Sequence, residues 1–236
     1  MNSLVGGGTL VTFPTLVALG IPPVAANMTN TVALCPGYLG GAHAQRAGLV
    51  GQGHRLRSLV VAGSIGGLAG AVLLKFTSDD TLGAIVPGLL ALATTLLAIQ
   101  PRLRLRLGRH AATSNSSDSP WLVPVVGLVA VYGGFFGAGV GVMLLAVLGL
   151  GVHQDLTRSN ALKQVLSLTV NLVAALFFVF SGNVWWSVVA VMAGGSWLGG
   201  VAGGRLVSRV DPDRFRLVVV FVGAVITIVY AVRVSW

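Results

Sequence analysis

One lysine in an apolar stretch is the residue of this sequence best placed to do chemistry. Lys163 lies four residues into a long apolar segment, and an ionisable group inside a membrane segment is a functional candidate because burying it is costly. Its amine could attract an anion, or it could be a lysine near a helix end whose amine reaches the interface. Asn160 lies three residues earlier, in the stretch NALK, which favours the functional interpretation.

Two short polar pairs occupy matching positions in the two halves of the chain. Thr29 and Asn30 are separated by 130 residues from Ser159 and Asn160. Each pair is predicted to lie at the start of a helix, where a hydroxyl or amide can cap backbone N–H groups. The same side chains could donate hydrogen bonds to an oxyanion. Capping is the favoured role of Thr29 and Ser159, ligand contact that of Asn30 and Asn160, and all four are candidate substrate-binding residues.

Two glycine clusters complete the candidate site. GGG at 6–8 and GGFFGAGVG at 133–141 interrupt apolar stretches, because glycine weakens a helix interior. Backbone N–H groups at a helix start bind anions without side chains, and glycine lets the ligand approach. Close packing of membrane helices is the structural alternative. The candidate substrate-binding glycines are Gly6, Gly7, Gly8, Gly137, Gly139 and Gly141.

Composition indicates the solvent in which these residues work. Of the 236 residues, 55% are hydrophobic and 9% are charged, against about 25% charged in soluble domains. So few charges cannot cover a surface that faces water, and we predict an all-α polytopic membrane protein. The net charge of +9 comes from basic residues between apolar runs, where they are typical topology signals. Binding to nucleic acid is therefore not expected.

Several kinds of chemistry are not expected either. The chain has no Glu, and its six Asp residues all fall between the apolar segments, which argues against cation transport and carboxylate proton relays. Cys35 is the single cysteine, so a cysteine-rich metal site is excluded, and the four His residues lack metal-ligand spacing. We expect no enzyme, no cofactor and no metal.

The elements that must position these residues are apolar segments, since a membrane helix needs about 20 apolar residues. Residues 100–120 are predicted to be a basic cytoplasmic linker between a first membrane repeat at 1–99 and a second at 121–236. The first segment is short, and the fifth is broken at its glycines. The eight segments lie at 4–20, 27–45, 58–75, 81–99, 121–150, 160–180, 184–203 and 215–234.

The two halves of the chain repeat. IGGLAGA at 65–71 matches LGGVAGG at 198–204. If all eight segments cross, the 15 Lys and Arg residues divide almost evenly between the two sides. If 121–150 is a re-entrant hairpin, all but two lie on one side, as the positive-inside rule prefers. The predicted fold is two inverted repeats, each a re-entrant broken-helix hairpin plus three transmembrane helices, and eight plain transmembrane helices are the alternative.

The glycine motifs carry a family resemblance. GGGTLVTFPTLVALGIPPVAANMTNTVAL, and GGFFGAGVGVMLLAVLGL followed by SNALKQ, resemble the TauE/SafE sulfite exporter family of bacterial anion permeases over nearly the whole chain. The resemblance implies a secondary transporter of sulfite, sulfonates or other sulfur oxyanions in the cytoplasmic (inner) membrane. The family usually has an apolar stretch before the first glycine motif. Here only Met1 to Val5 precede it, so the leading half-helix of the first hairpin either lies upstream or is missing.

The predicted function is an alternating-access permease that holds a small anion between half-helix N-termini from its two halves. Asn30, Asn160 and Lys163 would supply polar and positive contacts to the anion. Two other classes stay open: a membrane protein that anchors or helps assemble a partner enzyme, and an anion channel. The expected partners are the anion and the lipid bilayer, and the sequence leaves a homo-oligomer open.

Overall fold

Helices joined by short loops make up the chain in the computed structural model, which describes residues 8–111, 119–152, 154–206 and 212–234. A 3-10 turn at Arg46–Leu49 is the one further helical element in these ranges. They contain no strand, so the all-helical prediction is confirmed. The helices are α1 (Gly8–Ala18), α2 (Pro23–Ala44), α3 (Gly53–Lys75), α4 (Asp79–Ala111), α5 (Leu122–Phe135), α6 (Val140–Gly151), α7 (Leu156–Val179), α8 (Trp186–Leu206) and α9 (Pro212–Val234).

The helices differ in how well they suit a bilayer. Three stretches of the described residues are long and apolar enough to cross a membrane, namely Gly53–Lys75, Asp79–Leu103 and Thr157–Val179. Helix α2 has 22 residues, roughly 33 Å, but polar residues interrupt its apolar character. The eight segments expected from hydropathy are therefore a mixture of long spans and shorter apolar helices. The shorter ones are Gly8–Ala18, Leu122–Phe135, Val140–Gly151 and Leu217–Ile228.

The predicted break in the fifth segment is present, and it reverses the chain. Helices α5 and α6 have 14 and 12 residues, roughly 21 and 18 Å. The N–H of Ser119, ahead of α5, donates to the carbonyl of Gly151, at the end of α6, at 3.0 Å. Gly137 and Gly139 each have a φ of +78°, a left-handed conformation that glycine adopts without strain, and they form the turn. The pair α5–α6 is thus a helical hairpin.

The directions of neighbouring helices give the same result. Glycines along α3 meet successively later residues of α5 and of α7, so α3, α5 and α7 run parallel. Helices α5 and α7 therefore start at the same end of the bundle, to which α6 must return. The contacting pairs are Gly66 with Gly127 and Gly70 with Val131 for α5, and Gly63 with Leu166 and Gly67 with Val170 for α7.

We call the end where α3, α5 and α7 start the basic end. Helix α2 finishes there, and Gly48 of the 3-10 turn packs on Ala161 of α7. Arg158 Nη2 donates to the carbonyl of Val50 at 2.9 Å. Lys75, at the opposite end of α3, lies 5.6 Å from the centre of the Phe177 ring. The arginines of the basic end include Arg46, Arg55, Arg57 and Arg158.

Helix α4 extends beyond its predicted end. It continues to Ala111, so the first part of the predicted linker at 100–120 is helical, because intrahelical hydrogen bonds continue after the apolar pattern stops. Residues 112–118 of that linker lie outside the described residues. Its cytoplasmic position stays a prediction.

Glycine allows α3 and α5 to touch backbone to backbone. A Cβ on Gly134 would overlap the carbonyl oxygen of Gly67, and one on Gly70 would overlap the carbonyl oxygen of Val131. Gly67 also permits close packing on α7, since a Cβ there would lie 3.1 Å from the carbonyl oxygen of Val170. Helix α3 therefore packs closely against α5 and supports the hairpin.

Replacing Gly134 with alanine should lower the thermal unfolding midpoint of the protein in detergent. The new methyl group would force α3 and α5 apart, and overpacking of this kind costs about 1–3 kcal/mol. Gly88→Ala is the control, since a Cβ there meets nothing within 4 Å and alanine favours a helix by about 1 kcal/mol. Equal unfolding midpoints for the two variants would contradict the close contact.

Candidate functional site

Most buried polar side chains of the described residues lie on α2 and α7, two helices that pack against each other. Of thirteen buried polar or charged residues, four lie on α2 and five on α7. We call them the polar seam. A buried polar group without a partner costs about 1–3 kcal/mol, so this concentration in an apolar bundle singles out one interface. Its members are Asn27, Thr29, Asn30, Thr31, Ser159, Lys163, Gln164, Ser167 and Asn171.

The polar residues of α7 share one face. Asn160, Lys163, Ser167 and Asn171 follow one another at intervals of three and four residues, which places them one above another on a helix. The sequence prediction took only the first two of these as site residues. It missed Ser167, as well as Gln164 beside it, although the helical spacing of the polar residues could have revealed both.

The start of α6 faces Lys163. A Cβ on Gly141, in the first turn of α6, would lie 3.9 Å from both Lys163 Cδ and Ser167 Oγ. Lys163 is only 4% exposed, and the buried Oγ of Ser167 has no hydrogen-bond partner among the described residues. We call the first turn of α6, Lys163 and Ser167 the cradle. The N–H groups of Val140, Val142 and Met143 already donate to the carbonyls of Gly137 and Gly139. The positive end of the helix dipole nevertheless meets a lysine side chain there, an arrangement that attracts anions.

A cavity of about 440 Å³ lies at the basic end, one turn of α7 away from Lys163. Asn160 Nδ2 donates to Gln45 Oε1 at 2.6 Å, and its buried Oδ1 has no partner in the part of the chain that is described. Asn160 thus joins α7 to the residue that follows α2. Gln45 was not predicted. The cavity is lined by Ala44, Gln45, Ala47, Gly48, Leu145, Thr157 and Asn160.

The predicted residues of α2 are buried but engage other elements. Asn30 Oδ1 accepts a hydrogen bond from the Thr12 hydroxyl of α1 at 2.5 Å. Thr29 Oγ1 accepts one from the N–H of Trp185, just before α8, at 3.1 Å. The structure therefore places Asn30 and Thr29 between α1 and α8, and the cradle is formed by residues of the second half.

The predicted capping role of Thr29 and Ser159 is wrong. Helix α2 begins at Pro23, well before Thr29, and Asp155 caps α7 by accepting the N–H of Arg158 at 2.8 Å. Both helices begin before the predicted positions: α2 begins with the apolar run at 23–26, and α7 begins with a polar first turn. Ser159 is buried inside α7, where its Oγ accepts from Gln154 Nε2 at 3.3 Å.

The other candidate glycines lie where helices begin or where the hairpin turns. Gly137 forms the hairpin tip, and a Cβ on Gly139 would lie 3.2 Å from Ala93 Cα of α4, so that glycine also permits close packing. Gly8 begins α1, and its carbonyl accepts from the Thr12 hydroxyl at 2.9 Å. Gly6 and Gly7 lie outside the described residues.

Two side chains satisfy backbone groups at the hairpin tip. The Tyr132 hydroxyl donates to the carbonyl of Ala138 at 2.6 Å, and Asn27 Nδ2 donates to the carbonyl of Phe135, the last residue of α5, at 2.7 Å. The rings of Phe13 and Phe136 meet edge to face at 5.3 Å, which brings α1 to the same point. The break is thereby held in one geometry. The described residues contain no group of three or more His, Cys, Asp or Glu suited to a metal.

Comparison with known proteins finds one family and several curated relatives. The family model described as Sulfite exporter TauE/SafE matches residues 1–230. The probable membrane transporter protein YfcA of Escherichia coli K12 is 28% identical over 96% of this chain and 83% of its own length. The probable membrane transporter protein ORF9 of a Sinorhizobium species is 29% identical over 87% and 77% respectively. No solved structure matches the chain.

Replacing Tyr132 with phenylalanine should loosen the hairpin tip. The variant loses the 2.6 Å hydrogen bond to the carbonyl of Ala138, worth about 1 kcal/mol. Hydrogen–deuterium exchange in detergent should then be several times faster in peptides that cover residues 136–144. Peptides from α4 serve as the internal control, and unchanged exchange at the tip would show that the hydroxyl does not hold it.

Proposed function

The chain belongs to the sulfite exporter TauE/SafE family of membrane transporters, and on that premise we propose that it carries a small anion across the bacterial cytoplasmic membrane by alternating access. This membership agrees with the family that the glycine motifs and SNALKQ predicted. The observation that carries the proposal is the cradle, in which a buried lysine meets the start of a half-helix beside a hydroxyl that has no hydrogen-bond partner among the described residues.

The cradle favours a negatively charged cargo. An ammonium group inside a bilayer is costly, and a nearby anion offsets that cost. The carboxylates of the chain lie between its apolar segments, as with Asp155, which caps α7. A negative cargo would carry the charge that complements Lys163. The helix start favours the same sign of charge.

The oxygens of a sulfur oxyanion suit the donors of the cradle. The backbone N–H of Gly141, the hydroxyl of Ser167 and the amine of Lys163 are the candidate donors, and a pyramidal or tetrahedral oxyanion has enough oxygens to accept from all three. We propose sulfite or an organosulfonate as the cargo, in line with the family description. Asn30 and Thr29, with Gly8, would form the wall contributed by the first half.

The packing of the helices supports two inverted repeats. The repeat pairs α1 with α6, α2 with α7, α3 with α8 and α4 with α9. Helix α2 packs on α8, and its repeat counterpart α7 packs on α3, the counterpart of α8. In the same way, α1 packs on α9 and α6 packs on α4. Rocking one half against the other would open the cradle to each side in turn.

The lengths of α5 and α6 support a re-entrant hairpin. Roughly 21 and 18 Å are too short for a hydrocarbon core of about 30 Å. The basic end is the proposed cytoplasmic side, because positive residues concentrate there. On this proposal the repeats at 1–99 and 121–236 are joined by a cytoplasmic linker at 100–120.

Lys163→Met should strongly lower anion flux while leaving the protein folded. A charge-assisted hydrogen bond is worth about 1.5–3 kcal/mol, so we expect kcat/KM to fall by about tenfold to a hundredfold. The measurement is uptake of radiolabelled sulfite, thiosulfate and sulfate into proteoliposomes. Lys75→Met is the matched control, since Lys75 is the other lysine of the chain and is the last residue of α3, opposite the basic end.

Three results would contradict the proposal in different ways. Full flux in Lys163→Met would remove that residue from the anion path. Flux that does not saturate would indicate a channel. Absence of flux for every anion, with wild-type protein that is folded and inserted, would argue against a permease and favour a role in assembling a partner.

A further inference from the structure

The cavity at the basic end adjoins the cradle along two helices. On α7, Asn160 lines the cavity and Lys163 lies three residues further on; on α6, Leu145 lines the cavity and Gly141 lies four residues away. Each interval is about one helical turn, or roughly 5–6 Å. The floor of the cavity and the cradle are therefore neighbouring positions in one groove between α6 and α7.

The walls of the cavity suit a small anion. Ala44, Ala47 and Gly48 leave space, and Gln45, Thr157 and Asn160 supply neutral hydrogen-bonding groups. No carboxylate lines the cavity in the part of the chain that the structure describes. Arg46 and Arg158 directly adjoin lining residues in the chain, and such positive charge raises the local concentration of anions.

One hydrogen bond joins two of the residues that line this cavity. Asn160 Nδ2 donates to Gln45 Oε1 at 2.6 Å, which joins the helix of the cradle to the turn after α2. The second polar atom of the Asn160 amide, Oδ1, is buried without a partner among the described residues. An oxyanion oxygen could replace Gln45 Oε1 as the acceptor for Asn160 Nδ2, and the freed Gln45 amide could donate to the same anion.

We propose that this cavity is the cytoplasm-side waiting site for the anion, and that the Gln45–Asn160 amide pair is the contact that the anion displaces to reach Lys163. The proposal rests on the proposed function, because it assumes that an anion moves through the cradle. It adds a second binding position and assigns Gln45 to the transport path.

The test compares Gln45→Glu with Gln45→Met in inside-out and right-side-out membrane vesicles. Glutamate keeps the size of the side chain but places a negative charge in the cavity wall. We expect the KM for an anion presented at the basic end to rise at least tenfold in Gln45→Glu. The KM for the same anion presented at the opposite face should change less than twofold. Gln45→Met removes the amide without adding charge, so its KM at the basic end should rise less.

Gln154→Glu is the matched control for charge. Gln154 lies at the same end, outside the cavity lining, and its Oε1 accepts from Arg55 Nη1 at 3.0 Å. This variant should keep the wild-type KM at both faces. An unchanged KM in Gln45→Glu would overturn the waiting site while leaving the permease intact, whereas absence of saturable flux in wild-type protein would overturn the proposed function itself.

Thiol protection keeps the proposal testable if Gln45→Glu fails to fold. Ala47→Cys in a Cys35→Ala background places a single thiol in the cavity wall. A membrane-impermeant thiol reagent should label this cysteine in inside-out vesicles. A saturating concentration of sulfate, or of a sulfite analogue that does not react with thiols, should slow the labelling at least threefold. Labelling that no transported anion slows would overturn the waiting site.

Discussion

The interior of a bilayer offers no water to backbone groups, and this constraint governs the whole structure. Every N–H and C=O at that depth must find a partner within the protein. The turn between α5 and α6 breaks a helix, and it survives because Tyr132 and Asn27 bind carbonyls on either side of the break. Backbone contact between α3 and α5, permitted by glycine, closes the remaining side. The functional candidates lie around this protected break.

The polar seam shows how the same constraint concentrates chemistry. An apolar bundle tolerates buried polar groups where they find hydrogen-bond partners, and in the described part of this protein most of those groups lie on α2 and α7. Those of α2 bind groups of α1, of α5 and at the start of α8. Lys163 and Ser167 lie on the side of the seam that meets the start of α6. A ligand bound there would use groups that the fold already keeps out of lipid.

Local pattern predicted the elements better than it predicted their partners. Glycine density identified the break at 133–141, and the rarity of a lysine in an apolar segment made Lys163 a candidate site residue. Helix starts were placed too late, since hydropathy detects the apolar span and misses polar first turns such as the one capped by Asp155. Gln45 could not be found because its contact with Asn160 joins residues 115 positions apart. Ser167 could have been found from its spacing along α7, but a serine in an apolar helix is an unremarkable residue by composition.

The short hairpin also bears on how the protein is made. Neither α5 nor α6 is long enough to be retained in a bilayer as a span of its own, so the pair needs a protein surface to rest on. That surface is the glycine face of α3, which precedes the hairpin in the chain. The ribosome therefore delivers the receiving helix before the hairpin that docks on it, and the order of synthesis matches the order in which the bundle can be assembled.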